Sequence, residues 1–392
     1  MKQTIALIGG GPANLMAAYW LSKKHHVLLF EKGKTIGRKF LVAGNGGFNL
    51  TNSALADDLH KVYTPKTFLQ PFLQQFDSKA TIDWLNELGI ETFIGSSGRV
   101  FPVDDIKPRD VLLKLKNVLI EQGVEIFTHH EFVGFDDSHS PILQFENEKF
   151  TPKADRYIFG LGGASWKITG ANQKWLPLFD SIGVKTIPFQ SSNAGININL
   201  PENFYADFAG KPLKNIAVKI GDTILKGEAL ITKTGLEGNA IYPIVPHIRK
   251  GLETAKEVPI FIDFKPNNSL ESLLAKVKNK KIQTKNYKFV FNLTSETLFL
   301  IKNSLSKTAY LDPYIFVETI KNTRLNTYSI RPIEESISTV GGIDTQEIAE
   351  DLWLNKHPHL GVIGEMIDWD APTGGFLLQA CFSMGFRIGN SI

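Results

Sequence analysis

The sequence has little cysteine, no long apolar run and almost no net charge, and each of these shortages excludes a class of protein. Cys381 is the single cysteine among 392 residues, which excludes a disulfide framework, a multi-cysteine metal site and a paired-cysteine reductase. No apolar run approaches the roughly 20 residues that a membrane-spanning helix needs. The 43 lysines and arginines nearly balance the 40 aspartates and glutamates, so the strongly basic surface of a dedicated nucleic-acid binder is not expected. We therefore expect a cytoplasmic protein without a metal site, and its length predicts two or three domains.

The first 31 residues have the pattern of a dinucleotide-binding βαβ unit. The apolar run Thr4–Ile8 predicts a buried parallel strand, and the glycine-rich turn 9–14 follows it directly. Residues 15–21 are good helix formers, and His26–Phe30 predicts a second strand that is closed by Glu31. Strand, glycine turn, helix, strand and acid in this order indicate a dinucleotide site.

Each part of the turn has a physical task. Gly9 allows the tight bend, and Gly11 lets the backbone approach a pyrophosphate. The helix that begins at Pro12 and Ala13 directs free N–H groups and its positive dipole end at that anion. Asn14 stands where a third glycine would allow close helix–strand packing, so we expect either a wider separation or a polar partner for its side chain.

Glu31 is predicted to bind the adenosine ribose. It follows Gly11 by the spacing of about 20 residues that is typical of an acid accepting hydrogen bonds from ribose hydroxyls. Its charge disfavours the additional phosphate of NADP. Lys32 and Val133 are predicted to belong to the same cofactor site.

A cationic and glycine-rich segment follows the acid closely. Arg38 and Lys39 supply two cations, and the loop with Gly44, Asn45 and Gly46 supplies exposed amides, which together suit a diphosphate or an electron-rich ring edge. Taken alone, these residues fit a solvated glycine loop as well as a ligand-binding one. Its place just after the adenosine acid favours the ligand.

Glycine turns late in the chain favour FAD over NAD, which the first fingerprint does not distinguish. Gly162 and Gly163 follow a predicted strand and can approach a ligand closely. Gly374 and Gly375 precede a helix predicted over residues 377–390. The dipole of that helix can stabilise the negative charge that collects at N1 and the C2 oxygen of a reduced isoalloxazine.

Changes in the hydrophobic pattern along the sequence divide the chain into four segments. Residues 1–192 and 326–392 are predicted to be two parts of one FAD-binding domain. Short alternating segments predict an inserted β-barrel or sandwich over residues 193–267, and helical periodicity predicts a helical insert over residues 268–325.

Five segments occur in an order that resembles the bacterial YhiN-like FAD-dependent flavoproteins, a family of NAD(P)/FAD-dependent oxidoreductases. They are Gly9–Ala13, Gly37–Lys39, Asn49–Asn52, Gly162–Trp166 and Trp369–Gln379. The glycine fingerprint is generic, whereas the Asn-Leu-Thr-Asn and Ala-Pro-Thr-Gly-Gly segments are specific. The Trp-Asp-Ala-Pro-Thr-Gly-Gly ending resembles one subgroup in particular.

The resemblance implies an α/β fold: a Rossmann-like FAD-binding domain of the two-dinucleotide-binding type with an inserted β-barrel and a helical domain. It also implies FAD stretched along the sheet, with the adenosine at Glu31 and the flavin near the Gly46 loop, Gly341–Gly342 and Gly374–Gly375. The predicted cofactor-binding residues are Gly9, Gly11, Pro12, Ala13, Asn14, Glu31, Lys32, Arg38, Lys39, Gly44, Asn45, Gly46, Asn49, Thr51, Asn52, Val133, Gly162, Gly163, Gly342, Asp370, Gly374, Gly375 and Phe376.

One departure separates this chain from the family pattern. Relatives commonly read Gly-Arg-Cys before Asn-Leu-Thr-Asn, whereas this chain has Gly47 and Phe48 in place of the arginine and cysteine. A reaction shared with those relatives therefore does not follow from the resemblance.

The function predicted from the sequence is hydride transfer between FAD and a small, apolar, unsaturated substrate. Some members of the resembled family act on unsaturated steroid-like bile acids. We expect the substrate between the FAD domain and the barrel, and NADH or NADPH only as a transient reductant. The sequence identifies no catalytic residue, although Arg99 or Tyr242 could donate a hydrogen bond to a substrate carbonyl and Asp370 could accept one from the ribityl chain. Cys381 is interpreted as a small apolar core residue.

Two alternatives remain open at this point. A flavin-dependent RNA modifier would use the lysine cluster of Lys276, Lys278, Lys280 and Lys281 as its contact surface, although a solvated helix face explains that cluster better and no nucleic-acid partner is expected. In the other alternative, the protein binds a flavin without catalysing a reaction.

Overall fold

The computed structural model of this chain describes residues 1–42, 48–54, 56–103, 106–278 and 282–392. The chain forms two compact units. The first consists of Met1–Gln190 with Ile337–Ile392, and the second consists of Ser191–Ser336.

The first unit contains a parallel sheet, three small sheets and helices around them. Its first half comprises β1 (Thr4–Ile8), α1 (Pro12–Leu21), β2 (His26–Glu31), α2 (Arg38–Val42), β3 (Thr51–Asn52), α3 (Ala56–Leu59), α4 (Lys66–Gln75), α5 (Ser78–Glu87), β4 (Thr92–Ile94), β5 (Arg99–Pro102) and α6 (Pro108–Glu121). It continues with β6 (Glu125–Thr128), β7 (His130–Phe135), β8 (Pro141–Phe145), β9 (Glu148–Phe150), β10 (Arg156–Phe159), α7 (Leu176–Ser181) and β11 (Thr186–Ser191).

The chain next forms the second unit and then returns to the first. The second unit contains β12 (Ile196–Ile198), α8 (Glu202–Phe208), β13 (Pro212–Ile220), β14 (Thr223–Ile231), β15 (Gly235–Glu237), α9 (Val245–Leu252), β16 (Val258–Asp263), α10 (Leu270–Leu274), α11 (Tyr287–Val290), α12 (Ser295–Asn303), α13 (Lys307–Leu311), α14 (Pro313–Lys321) and β17 (Thr323–Ile330). The chain then adds β18 (Thr339–Ile343), β19 (Leu360–Val362) and α15 (Phe376–Gly389) to the first unit.

The central sheet of the first unit has the strand order β19-β10-β1-β2-β6, and its strands are parallel. Strand β1 lies in the middle, where Ile5, Ala6 and Leu7 are fully buried. A strand covered on both faces can be continuously apolar, which explains why the amphipathic alternation is absent from this run. The carboxyl ends of these strands therefore meet at one edge of the sheet.

Smaller sheets surround this core. Strands β3, β5 and β4 form an antiparallel sheet, β7, β8 and β9 form a second one, and β11 pairs with β18. The first of these sheets lies beside α15 through contacts with β3.

Helices α1 and α15 pack against each other unusually closely, because glycine and alanine line their contact. A side chain at Gly385 would begin 2.5 Å from the carbonyl oxygen of Ala13 and 2.7 Å from the Cβ of Met16. One turn later, Gly389 lies under Trp20, whose ring meets that of Phe386 edge to face at 5.0 Å. The first and last long helices of the chain thus form one packed layer.

The second unit is built on a closed barrel with the strand order β12-β15-β14-β13-β16-β17. Alternate residues of β13 and β16 point inward, and Ile216, Val218, Ile260 and Ile262 are buried. Closure removes the free edges that would otherwise be exposed on these strands. Helical residues such as Phe316 belong to the same hydrophobic core as the barrel strands.

The predicted fold class is confirmed: an α/β domain with a Rossmann-like parallel sheet is interrupted by a barrel and helices. One predicted element is shorter than expected. The helix expected over residues 269–281 begins at its cap Ser269 but ends at Leu274, because the amides of Lys276 and Val277 turn to the carbonyls three residues earlier. No helix in the part of the chain that the structure describes is long and apolar enough to cross a membrane.

The close contact of α1 with α15 predicts a strong effect of a larger side chain. Replacing Gly385 by valine would push α15 away from Ala13 and Met16, so we expect the free energy of unfolding to fall by about 1–3 kcal/mol or more. Urea unfolding followed by circular dichroism measures this change. Gly134→Ala is the control, because a side chain there would meet no atom within 4 Å; equal losses in the two variants would contradict the proposed tight contact.

Candidate functional site

A cavity of about 410 Å³ lies along the carboxyl ends of the parallel strands in the first unit. Its walls come from segments that leave β1, β2, β10 and β19. The segments are 8–13, 31–32, 160–163 and 363–365, and the start of β7 closes one end with residues 130–133. An open α/β sheet binds its ligand at this edge.

The glycine turn after β1 forms the floor of the cavity. Gly9 has a φ of 99°, and its Cβ would begin 2.5 Å from the carbonyl oxygen of Gly160, so only glycine fits there. Gly11 differs, because a Cβ at that position would meet only the same oxygen at 3.7 Å. The space in front of Gly11 is therefore open to a ligand.

The sequence predicted either a wider separation of helix and strand at Asn14 or a polar partner for its side chain. The structure shows polar partners. The Nδ2 of Asn14 donates to the carbonyl oxygens of Ile8 at 3.0 Å and Gly9 at 2.8 Å. The side chain is fully buried and lies against Gly160, where a Cβ would approach it to 2.8 Å. Asn14 thus holds the turn from behind and does not line the cavity.

Glu31 lies at one end of the cavity and is fixed by two backbone amides. Its two carboxylate oxygens accept hydrogen bonds from the N–H of Gly10 and of Gly33, each at 2.7 Å. Each carboxylate oxygen can accept more than one hydrogen bond. Glu31 therefore keeps acceptor capacity for a ligand hydroxyl while its orientation is set by the backbone.

Charged, aromatic and apolar residues surround the end of the cavity at which Glu31 lies. Lys32, His130, Glu131 and Val133 all line it. Neighbouring atoms desolvate the ammonium group of Lys32 and lower its pKa, an effect that the charges of Glu131 and Glu31 oppose. Both signs of charge are thus present where an adenosine is expected.

At the other end, an ion pair joins two segments that are distant in sequence. Lys39 Nζ lies 2.6 Å from Glu365 Oε2 and donates to Ser165 Oγ at 3.0 Å. Ser165 in turn donates to the carbonyl oxygen of Ile337 at 3.1 Å. Lys39 and Glu365 both line the cavity, so a fixed cation and a fixed anion face the same space.

Five further residues that the sequence predicted for the cofactor site also line the cavity. Pro12, Ala13, Arg38, Gly162 and Gly163 line it. Arg38 also donates to the carbonyl oxygen of Ile168 at 3.0 Å, which holds the guanidinium at the rim.

A second group of predicted residues lies outside the cavity wall and supports the turn before α15. Thr51 and Asn52 belong to this group, together with Gly374 and Gly375. Asn52 Nδ2 donates to the carbonyl oxygen of Gly374 at 3.1 Å, and Gly375, with a φ of 99°, packs directly on the carbonyl of Thr51. The specific Asn-Leu-Thr-Asn segment, of which half-buried Asn49 is the first residue, thus holds the beginning of the last helix.

Gln379 extends this support into a buried hydrogen-bond network. Its Oε1 accepts hydrogen bonds from Thr51 and from Thr81, and its Nε2 donates to the carbonyl oxygen of Phe76 at 2.9 Å. All three polar side chains are fully buried. A buried network of this kind specifies one position for α15 because leaving any member unpaired is costly.

Three further predicted residues are also placed by backbone contacts. Gly342 packs directly on the carbonyl of Met366. Asp370 is buried and exchanges two backbone hydrogen bonds with Thr64, at 2.7 and 2.9 Å. The carbonyl of Phe376 accepts a hydrogen bond from Tyr63 at 2.7 Å.

Part of the predicted loop lies outside the described residues. Gly44, Asn45 and Gly46 belong to it, as does Gly47. Phe48, which stands where the family has cysteine, is buried and meets Phe40 edge to face at 4.8 Å. Its role here is to pack against α2.

The remaining candidates occupy different places. Cys381 lines the cavity, and burial raises the pKa of its thiol, which keeps it protonated and unreactive at neutral pH. Tyr242 belongs to the second unit, where burial and the charge of Glu237 raise its pKa to about 12. Arg99 lies on β5 in the first unit, outside the cavity wall.

Sequence reasoning missed Glu365, although a signal for it was present. Glu31 ends one short apolar strand, Glu365 lies three residues beyond the end of another, and strand ends of one parallel sheet share an edge. Trp175 and Lys174, which also line the cavity, carried no comparable signal because they lie in an irregular segment.

Comparison with known proteins identifies relatives over nearly the whole chain. The family model described as HI0933-like protein Rossmann domain matches residues 3–391. The 3-dehydro-bile acid delta(4,6)-reductase of Clostridium scindens is 26% identical, over 99% of this chain and 98% of that protein. The ribosomal RNA dihydrouridine synthase of Escherichia coli is 23% identical, over 98% of this chain and 97% of that protein.

A solved structure is similar in fold. A flavocytochrome c3 fumarate reductase in its open conformation superposes with a TM-score of 0.53 at 12% identity, and the match covers 99% of this chain and 78% of that one. At this identity, the similarity concerns the fold alone.

The ion pair between Lys39 and Glu365 predicts a measurable coupling. The side chains are only 27% and 12% exposed, so Lys39→Met or Glu365→Gln alone leaves a poorly solvated charge, and the double variant should lose less stability than the sum. We expect a coupling energy of about 1–3 kcal/mol in urea unfolding.

The exposed pair Lys79–Asp83 is the matched control for this cycle. Its charged atoms are 2.7 Å apart, but its side chains are 82% and 56% exposed, and we expect its coupling to be much smaller than that of the cavity pair. The same coupling in both cycles would refute the distinction between cavity and surface.

Proposed function

Because this chain belongs to the HI0933-like protein Rossmann domain family, we propose that it holds FAD in the cavity and reduces a carbon–carbon double bond conjugated with a carbonyl group. The YhiN-like, FAD-dependent family predicted from the sequence is thereby confirmed. The observation that carries the proposal is the cavity along the strand ends, with Glu31 at one end and the pair of Lys39 and Glu365 at the other.

The residues around the cavity fit an elongated dinucleotide. The open space before Gly11 can take a pyrophosphate next to the amino terminus of α1. Glu31 is oriented to accept hydrogen bonds from ribose hydroxyls, and Arg38 and Lys39 supply positive charge along the wall. When bound, FAD supplies the hydride transfer, while the protein supplies position and electrostatics.

The class of substrate is proposed from the reactions of the relatives. The name of the C. scindens enzyme denotes reduction of ring double bonds in a 3-dehydro, that is 3-oxo, bile acid. Dihydrouridine, the product of the E. coli enzyme, is uridine whose ring double bond beside a carbonyl has been reduced. Both names share a double bond conjugated with a carbonyl, and we assign that chemistry to this chain. NADH or NADPH is our proposed transient source of electrons.

The proposed cofactor position predicts the effect of a side chain at Gly11. In Gly11→Val, the new side chain has room in the fold, since the nearest atom to its Cβ is the carbonyl oxygen of Gly160 at 3.7 Å, but it fills the space assigned to the pyrophosphate. We expect a folded, colourless protein. The visible absorption spectrum and chromatography of the released cofactor measure this.

Gly9→Val provides the contrast, because its Cβ would lie 2.5 Å from the backbone of Gly160. This variant should lose stability as well as cofactor. A folded Gly11→Val protein with normal flavin content would reject the assigned pyrophosphate position.

The proposed reaction is tested with a conjugated steroid acid. Under anaerobic conditions, the FAD-loaded protein should convert 3-oxochola-4,6-dien-24-oate to a product with two more hydrogens per reduced double bond when reduced methyl viologen supplies electrons. Loss of the dienone absorption and mass spectrometry follow the conversion, and the Gly11→Val variant is the control. Absence of conversion by the loaded protein would reject this substrate class.

The RNA-modifying alternative has a specific observation in its favour, namely the ribosomal RNA dihydrouridine synthases among the relatives. Lys276 and Lys278 are exposed, but the near-neutral net charge of +3 argues against a strong nucleic-acid surface. In the same anaerobic assay, transcribed ribosomal RNA should gain no dihydrouridine. Formation of dihydrouridine, detected by nucleoside mass spectrometry, would favour the alternative over our proposal.

A further inference from the structure

The small sheet of β3, β5 and β4 has one open face, on which Arg99 lies. Along β5, Val100 and Pro102 are buried while Arg99 and Phe101 are half-exposed. The register places Asn52 opposite Arg99 and Phe93 opposite Phe101. Because side chains alternate along strands, these four residues share the open face.

One end of this face is apolar. Phe93 and Phe101 stack with their ring centroids 5.6 Å apart and an interplanar angle of 27°. Phe93 remains 44% exposed. Two stacked aromatic rings that stay accessible offer a flat surface to an apolar ring system.

The other end of the face carries a positive charge without a partner. Among residues 1–42, 48–54, 56–103, 106–278 and 282–392, no side chain or carbonyl forms a hydrogen bond or an ion pair with the guanidinium of Arg99. Arginine has five N–H donors and stays charged at any physiological pH. An accessible guanidinium of this kind can bind an electron-rich oxygen of a ligand.

Arg99 also lies beside the glycine turn that precedes α15. A Cβ at Gly374 would begin 3.5 Å from Arg99 Nε and 3.5 Å from a ring carbon of Phe376. Because Gly374 has no side chain, the space next to the guanidinium is left free on this side.

Backbone contacts fix Arg99 relative to that turn. The N–H of Gly95 donates to the carbonyl oxygen of Arg99 at 2.8 Å. The N–H of Ser53 donates to the carbonyl oxygen of Gly98 at 2.7 Å. Asn52 then ties β3 to the carbonyl of Gly374 at 3.1 Å. The strand, the turn and the start of α15 are therefore one connected piece, which is what precise positioning of a ligand requires.

We infer that Arg99 binds the substrate of the proposed reaction by donating to its carbonyl oxygen, and that Phe93 and Phe101 contact the apolar ring next to that carbonyl. The inference rests on the proposed function, which it extends by naming the residues that select the substrate. The ligand class is a flat apolar molecule that carries a ketone. A hydrogen bond from a fixed cation also polarises a conjugated carbonyl.

The test compares probe binding to the FAD-loaded protein and its variants. The probes are 3-oxochol-4-en-24-oate and its methyl ester, and the dissociation constants are measured by quenching of tryptophan fluorescence. Arg99→Gln should weaken both probes by about tenfold or more, the scale of a lost charged hydrogen bond. Arg99→Lys, which keeps the charge but not the planar fork, should lose less than Arg99→Gln.

Two controls separate this role from a structural one. Arg109→Gln removes the same charge from an exposed position on α6 and should leave probe binding unchanged. The FAD dissociation constant and the thermal midpoint of Arg99→Gln should stay close to those of the unaltered protein, because Arg99 does not line the cavity.

The outcomes that overturn the inference are distinct. Unchanged probe binding in Arg99→Gln would reject Arg99 alone, and weaker binding of the acid but not of its ester would show that Arg99 binds the carboxylate instead of the ketone. Loss of FAD in Arg99→Gln would make it a cofactor residue. If the unaltered protein binds neither probe, the proposed substrate class fails, and the role of Arg99 fails with it.

Discussion

The contact between α1 and α15 is the constraint on which the rest of the first unit depends. The two helices are far apart in sequence, yet Gly385 brings the backbone of α15 against Ala13 and Met16. The segment after β19 reaches the edge where β1 and β2 end because β19 pairs with β10, and the contact with α1 holds α15 against the same unit. There Glu365 faces Lys39 and contributes to one wall of the cavity.

A buried polar network fixes the same helix from its other side. Gln379 connects α15 to Thr51, Thr81 and the carbonyl of Phe76. The apolar contact with α1 is tight but not directional, whereas hydrogen bonds to Gln379 specify a single rotation of the helix. Together they place the turn before α15, and Arg99 beside it.

The βαβ unit and most of one cavity wall could be predicted because their signals are local. Gly9, Gly11 and Glu31 act within one short stretch, in which spacing alone defines the geometry. The sequence left two arrangements open for the side chain of Asn14. The choice between them depends on how closely Gly160, which follows β10, approaches that side chain.

Other features could not be predicted because they depend on contacts across the insertion. Glu365 becomes part of the cavity only when β19 pairs with β10, and the barrel unit separates these strands in sequence. Thr51 and Asn52 belong to a segment specific to the family, but their contacts with Gln379 and Gly374 arise from packing at the end of the chain. The end of α10 at Leu274 likewise follows from a local tightening of the backbone that helical periodicity does not reveal.

The interrupted order of the first unit has a consequence for biosynthesis. During translation, the glycine turn and Glu31 emerge early, and the whole barrel unit is made before β19 and α15 leave the ribosome. Until then, α1 lacks its covering helix and exposes Ala13, Met16 and Ala17, which are buried in the finished fold. The nascent chain therefore carries an apolar helix face without its covering helix until residues 376–389 have been made, and the cavity wall at Glu365 forms only once β19 can pair with β10.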